Sequence, residues 1–451
     1  MKAIILAAGK GKRMKSDLPK ALHTAAGKPM IHYVIDTCMK AGIEDITVVI
    51  GKGGELIQKA VTQPVRFVWQ DKQLGTGHAT LCAKEHITDD DRIVVLYGDT
   101  PLITAEFLIN LSTFQQEKRA NGVVVAARVP DPTGLGRVIV TKKGQFEAIV
   151  EQKDLTLGQH TIDLINTGLY MSTGRELLYG LERLKNNNNQ QEYYLTDVPK
   201  IVMDSGSKVV VYNAPDHTEF MGVNSQKQLA DAAAVLRRRI IDYHYENGAA
   251  IIDPSAVYID DGVEIEPGAV ILPGTMIQGN SKIGEDAVIG PHTQIKDSII
   301  GPRTTVRNSV VEDAEVGADC TVGPFAYLRN EAKIGDNCRI GDFVEIKKST
   351  LGNGTKAAHL AYIGDAEVGE KVNFGCGTVT VNYDGKHKHK TIVEDGAFIG
   401  SNVNLVAPVV VHSGAYVAAG STINLEVPAD ALAIARERQT NKEGGARKYK
   451  K

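Results

Sequence analysis

The stretch "VEIEPGAVILPGTMIQGNSKIGEDAVIGPHTQI", residues 263 to 295, decides how the second half of this chain folds. Ile265, Ile271, Ile277, Ile283, Ile289 and Ile295 recur every six positions, and small residues stand four places later at Ala269, Thr275, Ala287 and Thr293. A six-residue period sustained this long signals a parallel β-helix, and chance is a poor rival. Outward from that stretch the period resumes at Val310, Val316, Val322, Leu328, Ile334, Ile340 and Ile346. It returns at Val393, Ile399, Leu405, Val411, Val417 and Ile423. Cys320 and Cys338 occupy the small-residue slot, so their expected role is packing. If three repeats close one coil, residues eighteen apart are neighbours, which sets Arg329 beside Lys347. Between Phe374 and Val393 the segment "VTVNYDGKHKHKTI" interrupts the count, and an insertion out of a coil is where a binding loop is expected.

Upstream, to about residue 225, the pattern is different. Apolar runs such as "AIILA" (3–7), "ITVVI" (46–50), "RFVWQ" (66–70) and "RIVVLYGD" (92–99) alternate with helical stretches such as "PMIHYVIDTCMKAG" (29–42). This alternation predicts a mainly parallel sheet covered on both faces, with ligands gathered beyond the carboxyl ends of its strands. "LAAGKGKRM" and "LYGDT" are both strand ends, so they are expected to share a site. Residues 225 to 246 read as one helix, with Ser225 and Gln228 at capping-box spacing and Leu229, Ala232, Ala233, Leu236 and Ile240 on one face. The expected division is an α/β domain over 1–226, a linker helix over 227–247 and a β-helical domain over 248–451.

Composition narrows the partners. With 51 Lys+Arg against 54 Asp+Glu among 451 residues, the chain lacks the basic excess of a nucleic-acid binder. No apolar run approaches membrane-spanning length. Five scattered cysteines without a C-x-x-C pair fit a reduced cytoplasm and argue against structural zinc or a disulfide framework.

The opening loop lacks the G-x-x-x-x-G-K-[ST] arrangement of a Walker A motif. Gly9 and Gly11 permit close backbone approach to an anion and Arg13 and Lys20 supply charge, so a phosphate cradle and a plain turn are about equally supported by these residues alone. The wider motifs favour the cradle. "LAAGKGKRMKSDLPK" (6–20) resembles the signature of sugar-phosphate nucleotidyltransferases, with Gly9, Gly11, Arg13, Pro19 and Lys20 in that order. "QLGTGHA" (73–79), "YGD" (97–99), "VEQKD" (150–154), "NTG" (166–168) and "GVN" (222–224) follow as in that family. With "KAAHLAYIGDAEVG" (356–369) and "VTVNYDGK" (379–386), the chain from Lys2 to Glu443 resembles one bacterial family. Its members join N-acetylglucosamine-1-phosphate uridylyltransferase to glucosamine-1-phosphate N-acetyltransferase.

That resemblance implies a left-handed β-helix, a homotrimer with coenzyme A between neighbouring subunits, and two reactions. The second domain would acetylate glucosamine-1-phosphate from acetyl-CoA. The first would join the resulting N-acetylglucosamine-1-phosphate to UTP, releasing pyrophosphate and giving a precursor of peptidoglycan. It also implies site residues. Leu6, Ala7, Ala8, Gly9, Arg13, Lys20, Gln70, Gly75, Thr76, Tyr97, Gly98, Gly136, Glu151 and Asn166 would bind the nucleotide and its sugar. Asp99 and Asn224 would hold Mg2+, which needs few protein oxygens. Gln70 has donors and acceptors for a uracil edge, although on its own it reads as a surface glutamine after a strand. His359 would be the base of acetyl transfer, since an imidazole can accept an ammonium proton near neutrality. Arg329, Lys347, Tyr362 and Asn373 would hold the acceptor sugar. Cys376, Asn382, Tyr383, Lys388, Ser401, Ala419 and Arg436 would meet acetyl-CoA. A dianionic sugar phosphate between Arg329 and Lys347 would offset the repulsion of two stacked cations. The rival reading keeps nucleotidyl transfer alone and gives the β-helix to oligomerisation or regulation.

Overall fold

The structure is a computed structural model that describes residues 1–9, 11–188 and 190–450. It comprises two compact units, Met1–Leu236 and Arg237–Lys451.

In the first unit, the principal sheet runs Val209–Ala214, Gly122–Arg128, Leu164–Thr173, Arg92–Tyr97, Lys2–Leu6, Asp45–Ile50, Arg66–Trp69. Alternate residues of each strand serve opposite faces, as the two-residue pleat requires. Ala3, Ile5, Val48, Val94 and Leu96 enter one core; Ile4, Leu6, Val49, Ile93 and Val95 enter the other. Helices cover both faces, which is why these strands are apolar on both sides. The sheet is mainly parallel, with one of these seven strands reversed. Leu164–Thr173 runs antiparallel to both of its neighbours, Arg92–Tyr97 and Gly122–Arg128. The reason is local: between Gly122–Arg128 and Leu164–Thr173 the chain makes a hairpin, Arg137–Val140 with Phe146–Val150, instead of a helical crossover. Without a crossover the chain returns in the opposite direction.

The second unit is a parallel β-helix. Ile265 pairs with Ile283, Ile271 with Ile289 and Ile277 with Ile295, each eighteen residues on. These isoleucines are buried and stack in one continuous core. The coil is not uniform. Ile346 pairs with Ile363, seventeen on, and Val368 with Val393, twenty-five on, because residues around 382–390 loop out before the strand Thr391–Val393 resumes. One register expectation fails. The interior residue is Val311, paired with Ile295 and Leu328, while Val310 is only half-buried. The buried series Ile295, Ile300, Val306, Val311, Val316 takes five-residue steps at three corners, so a strict count of six back from Val316 lands one residue short.

The helix Gln226–Glu246 contributes to both units. Ala232, Ala233 and Leu236 pack with Met14, Met30 and Leu102 in the first, and Ile241 joins the β-helical core of the second. Stacked aliphatic interiors respond sharply to truncation. Ile283→Ala removes a fully buried side chain from between two coils and is expected to cost about 2–5 kcal/mol. Urea denaturation of the second unit, followed by circular dichroism, checks this.

Candidate active sites

The first site grows from strand ends. Lys2–Leu6 and Arg92–Tyr97 pair in register to their last residues, Leu6 opposite Tyr97. The chain then turns away twice at one edge, with Ala7 N–H donating to Val49 O at 2.8 Å and Gly98 N–H to Leu6 O at 3.0 Å. Over the first loop, a Cβ on Gly9 would meet nothing within 4 Å, so the backbone there faces open space. The loop then closes in a 3-10 turn that buries Met14, and Lys20 opens another just after Pro19.

Lys20 is the hub. Its ammonium pairs with the Asp99 carboxylate and donates to Asn224 Oδ1 at 3.0 Å. Asn224 is brought there by backbone. Val223 N–H donates to Asp99 O at 2.9 Å, so the chain before the long helix is tied to the end of a strand more than a hundred residues earlier. The helix cap adds a second tie. Gln228 N–H donates to Ser225 Oγ at 3.3 Å, as a capping box requires, but the Gln228 side-chain Oε1 accepts from Asn224 N–H at 2.9 Å, one residue before the expected donor. Capping this helix therefore also fixes Asn224. The Asp99 carboxylate and the Asn224 amide oxygen converge on one cationic position, here that of the Lys20 ammonium. Hard oxygens so arranged suit a magnesium ion that completes its shell with water and phosphate.

Two cavities meet at this hub. One, of about 320 Å³, is lined by Leu6, Ala7, Ala8, Gly9, Gln70, Gly75 and Gly98 among others. The other, of about 960 Å³, is lined by Arg13, Gly136, Glu151, Asn166 and Asn224 among others. Lys20, Thr76, Tyr97, Asp99 and Glu192 belong to both walls. The residues that the resemblance assigns to nucleotide, sugar and Mg2+ thus fall on two adjoining chambers, whereas Gly11 and Pro19 of the opening motif are not among their lining residues, and Arg13 opens onto the larger one, away from Gly9. Gln70 is not a surface residue; it is 4% exposed. Burial pushes the Tyr97 hydroxyl well above its ordinary range. Burial, with Asp154 and Asp197 nearby, also raises the Glu151 carboxyl. Gln73 and Glu192 were not anticipated: Gln73 donates its amide to Ala8 O, bracing the opening loop, and Glu192 lines both chambers.

The second site is built by stacking. His359 lies on Lys356–Gly364, directly above Asp342 on Arg339–Lys347. Its Nδ1 is 2.9 Å from Asp342 Oδ1. The hydrogen bond to His359 holds the Asp342 carboxyl below its ordinary range. The same corner continues upward. Gly377 N–H donates to Leu360 O at 2.7 Å, Asn402 N–H to Cys376 O at 2.7 Å and Gly420 N–H to Ser401 O at 2.8 Å. Arg436 Nη1 closes on Ala419 O at 2.5 Å. Asp342, His359, Cys376, Ser401, Ala419 and Arg436 thus rise along one edge of the β-helix.

A second group stands on the same coils. Arg329 does pair with Lys347 across adjacent strands, as the eighteen-residue count requires. The two cations do not depend on a ligand to offset their repulsion, however, because each has its own carboxylate. Arg329 Nε and Nη2 donate to Glu345 Oε1 at 2.9 and 2.6 Å, and Lys347 Nζ is 3.2 Å from Asp365 Oδ2. Asn382 donates to Asp365 and, at 3.4 Å, to the Tyr362 hydroxyl. Lys388, on the looped-out segment, lies against Lys347, and that neighbour lowers its ammonium pKa. The loop itself is pinned by Asp384, which accepts from Lys386 N–H and His387 N–H at 2.7 Å and pairs with His389 at 2.7 Å. Tyr383 is exposed on it. Asn373 stands one coil above Lys356, which begins the histidine's strand.

Among the described residues no cluster of three or more His, Cys, Asp or Glu side chains is arranged for a metal, and no helix is long and apolar enough to cross a membrane. All five cysteines are free.

Comparison with known proteins bears on both units. Residues 3–190 match the MobA-like NTP transferase domain. Residues 262–297 and 313–348 match the bacterial transferase hexapeptide of six repeats. The chain is 50% identical over 447 residues to the bifunctional protein GlmU of Clostridioides difficile, covering 99% of this chain and 97% of that one. It is 46% identical over 444 residues to GlmU of Alkaliphilus metalliredigens (98% and 97%) and 48% over 441 residues to GlmU of Brevibacillus brevis (98% and 96%).

Proposed function

The chain belongs to the GlmU family of bifunctional proteins, and from that premise we infer how its two units divide the synthesis of UDP-N-acetylglucosamine. The β-helical unit transfers acetyl from acetyl-CoA to glucosamine-1-phosphate. The α/β unit then transfers uridylyl from UTP to N-acetylglucosamine-1-phosphate.

In the α/β unit, a phosphate oxygen of the sugar attacks the α-phosphorus of UTP. The α–β bridging bond breaks and pyrophosphate leaves. Both reactants are anions, so catalysis is alignment and charge neutralisation. The observation that carries this reading is the hub: Lys20 and Asp99 stand where the two chambers share a wall, with Asn224 meeting Lys20 from the larger one, the place where nucleotide and sugar phosphate must meet. The smaller chamber, with Gln70 and the Gly9 backbone, suits the nucleotide. The larger, with Gly136, Glu151 and Asn166, suits the sugar. Asp99 and Asn224 would hold Mg2+, which when bound neutralises phosphate charge.

In the β-helical unit, His359 accepts a proton from the sugar amine as nitrogen attacks the thioester carbonyl and coenzyme A departs as the thiolate. Asp342 on Nδ1 leaves Nε2 as the basic nitrogen. Arg329, Lys347, Tyr362 and Asn373 hold the acceptor. Asn382, Tyr383, Lys388 and the upper part of the edge, Cys376 to Arg436, hold acetyl-CoA. The β-helix is left-handed and assembles as a trimer in the cytoplasm, with coenzyme A between neighbours.

One assay tests the whole reading. Glucosamine-1-phosphate, acetyl-CoA, UTP and magnesium are mixed, and free CoA and pyrophosphate are measured. Both are expected. Excess EDTA is expected to abolish pyrophosphate release and leave CoA release intact. Pyrophosphate only from pre-acetylated sugar would leave the β-helix without chemistry; release of both in EDTA would remove the metal.

A further inference from the structure

Gln70 follows the strand Arg66–Trp69, held by its N–H to Ile50 O at 2.8 Å, and its carboxamide forms part of the smaller chamber wall. Its Nε2 is 3.0 Å from Gly75 O and 3.0 Å from His78 Nδ1. A carbonyl oxygen can only accept, so the end of the amide facing Gly75 is the NH2 group. That settles which way the amide points without reference to any ligand. The second N–H of the group then meets His78 Nδ1, which must carry a lone pair, so the ring is neutral with its proton on Nε2. With both amide protons engaged, Oε1 is the end with capacity left for a ligand.

The parts that hold this arrangement are themselves fixed. Gly75 has φ +108, and a Cβ there would lie 2.5 Å from Tyr193 O, so the turn that aims its carbonyl back at Gln70 is closed to other residues. His78 stands on the short helix Thr76–Leu81, begun by that turn, with the Tyr193 ring 6.5 Å away.

We propose that His78 is a positioning residue for nucleotide choice: with Gly75 it locks the Gln70 carboxamide so that only Oε1 is offered to the base. An acceptor there welcomes the N3–H of uracil and opposes the bare N3 of cytosine. The inference rests on the reading that the smaller chamber receives the base of UTP.

The test compares kcat/KM for UTP and CTP by pyrophosphate release. His78→Phe keeps a ring but removes one of the two acceptors, leaving Gly75 O alone to hold the amide. The UTP-over-CTP ratio is expected to fall about tenfold, the weight of one neutral hydrogen bond. His78→Gln retains an acceptor and is expected to keep most of the ratio. Acetyl transfer, in the other unit, should not change in either. A folded His78→Phe protein with the wild-type ratio would overturn the proposal. So would 15N spectra of the unmodified protein showing His78 protonated on Nδ1, a measurement that needs no destabilising variant. Gln70→Met separates the two levels: a lowered ratio there without one in His78→Phe removes only the positioning role, whereas an unchanged ratio removes base reading by Gln70 as well.

Discussion

Acetyl transfer by the His359→Ala protein is expected to fall about a hundredfold to ten-thousandfold, the range for loss of a general base. Uridylyl transfer from supplied N-acetylglucosamine-1-phosphate should be unchanged. His359 is more than half exposed, so its replacement leaves no cavity in the stacked core, and a loss of rate reports chemistry rather than folding. Asp342→Asn is expected to cost less, about tenfold to a hundredfold, because it removes the charge from one hydrogen bond and leaves the imidazole in place. CoA release at saturating acetyl-CoA, across pH 6 to 9, measures both. Near-normal rates for His359→Ala over that range would assign the proton to another group.

The second large effect is on the other unit. Asp99→Ala is expected to lower uridylyl transfer about a thousandfold, comparable to losing a principal electrostatic contact at a transferring group. Its carboxylate is the only one at the hub that pairs with Lys20 among the described residues, and both side chains are mostly buried. Without it the ammonium loses its partner and the cationic position loses one of its two oxygens. Pyrophosphate release with saturating UTP, beside CoA release from the same preparation, makes the comparison. Equal loss of both activities in a folded protein would contradict the division of labour.

Much of this architecture was legible in residue spacing. The six-residue count found the β-helix and, through eighteen-residue neighbours, the pairing of Arg329 with Lys347. It failed where corners shorten: five-residue steps moved the interior from Val310 to Val311. A fixed interval cannot register such slips when both candidates are valines. The same count, applied with seventeen, reaches Asp342 from His359, so spacing alone marks the carboxylate beside the imidazole. Lys347 to Asp365 is eighteen, and spacing marks that carboxylate too. In the α/β unit the limit was different. Asp99 and Asn224 meet through the backbone bond from Val223, a contact between remote segments to which no local period corresponds. Nor does local pattern foresee that the hairpin at Arg137–Val140 reverses Leu164–Thr173, because each strand reads alike in either direction. Gln70 illustrates the third limit: burial of a polar side chain depends on partners, here Gly75 and His78, which only the folded chain brings near.

Because the candidate acetyl-transfer edge climbs from Asp342 to Arg436 one rung at a time, the second unit behaves as a ruler whose divisions must all be correct for the top and bottom marks to align. Seven extra residues between Val368 and Val393 do not disturb it, since they bulge outward at a corner and the next division starts in phase. A single residue inserted within a strand such as Phe398–Ile399 has no such exit. It would turn the inward isoleucine outward and rotate every later rung out of phase. Tolerance of length change in this unit is therefore set by where a change falls on the triangle, corner or side, and not by how large it is.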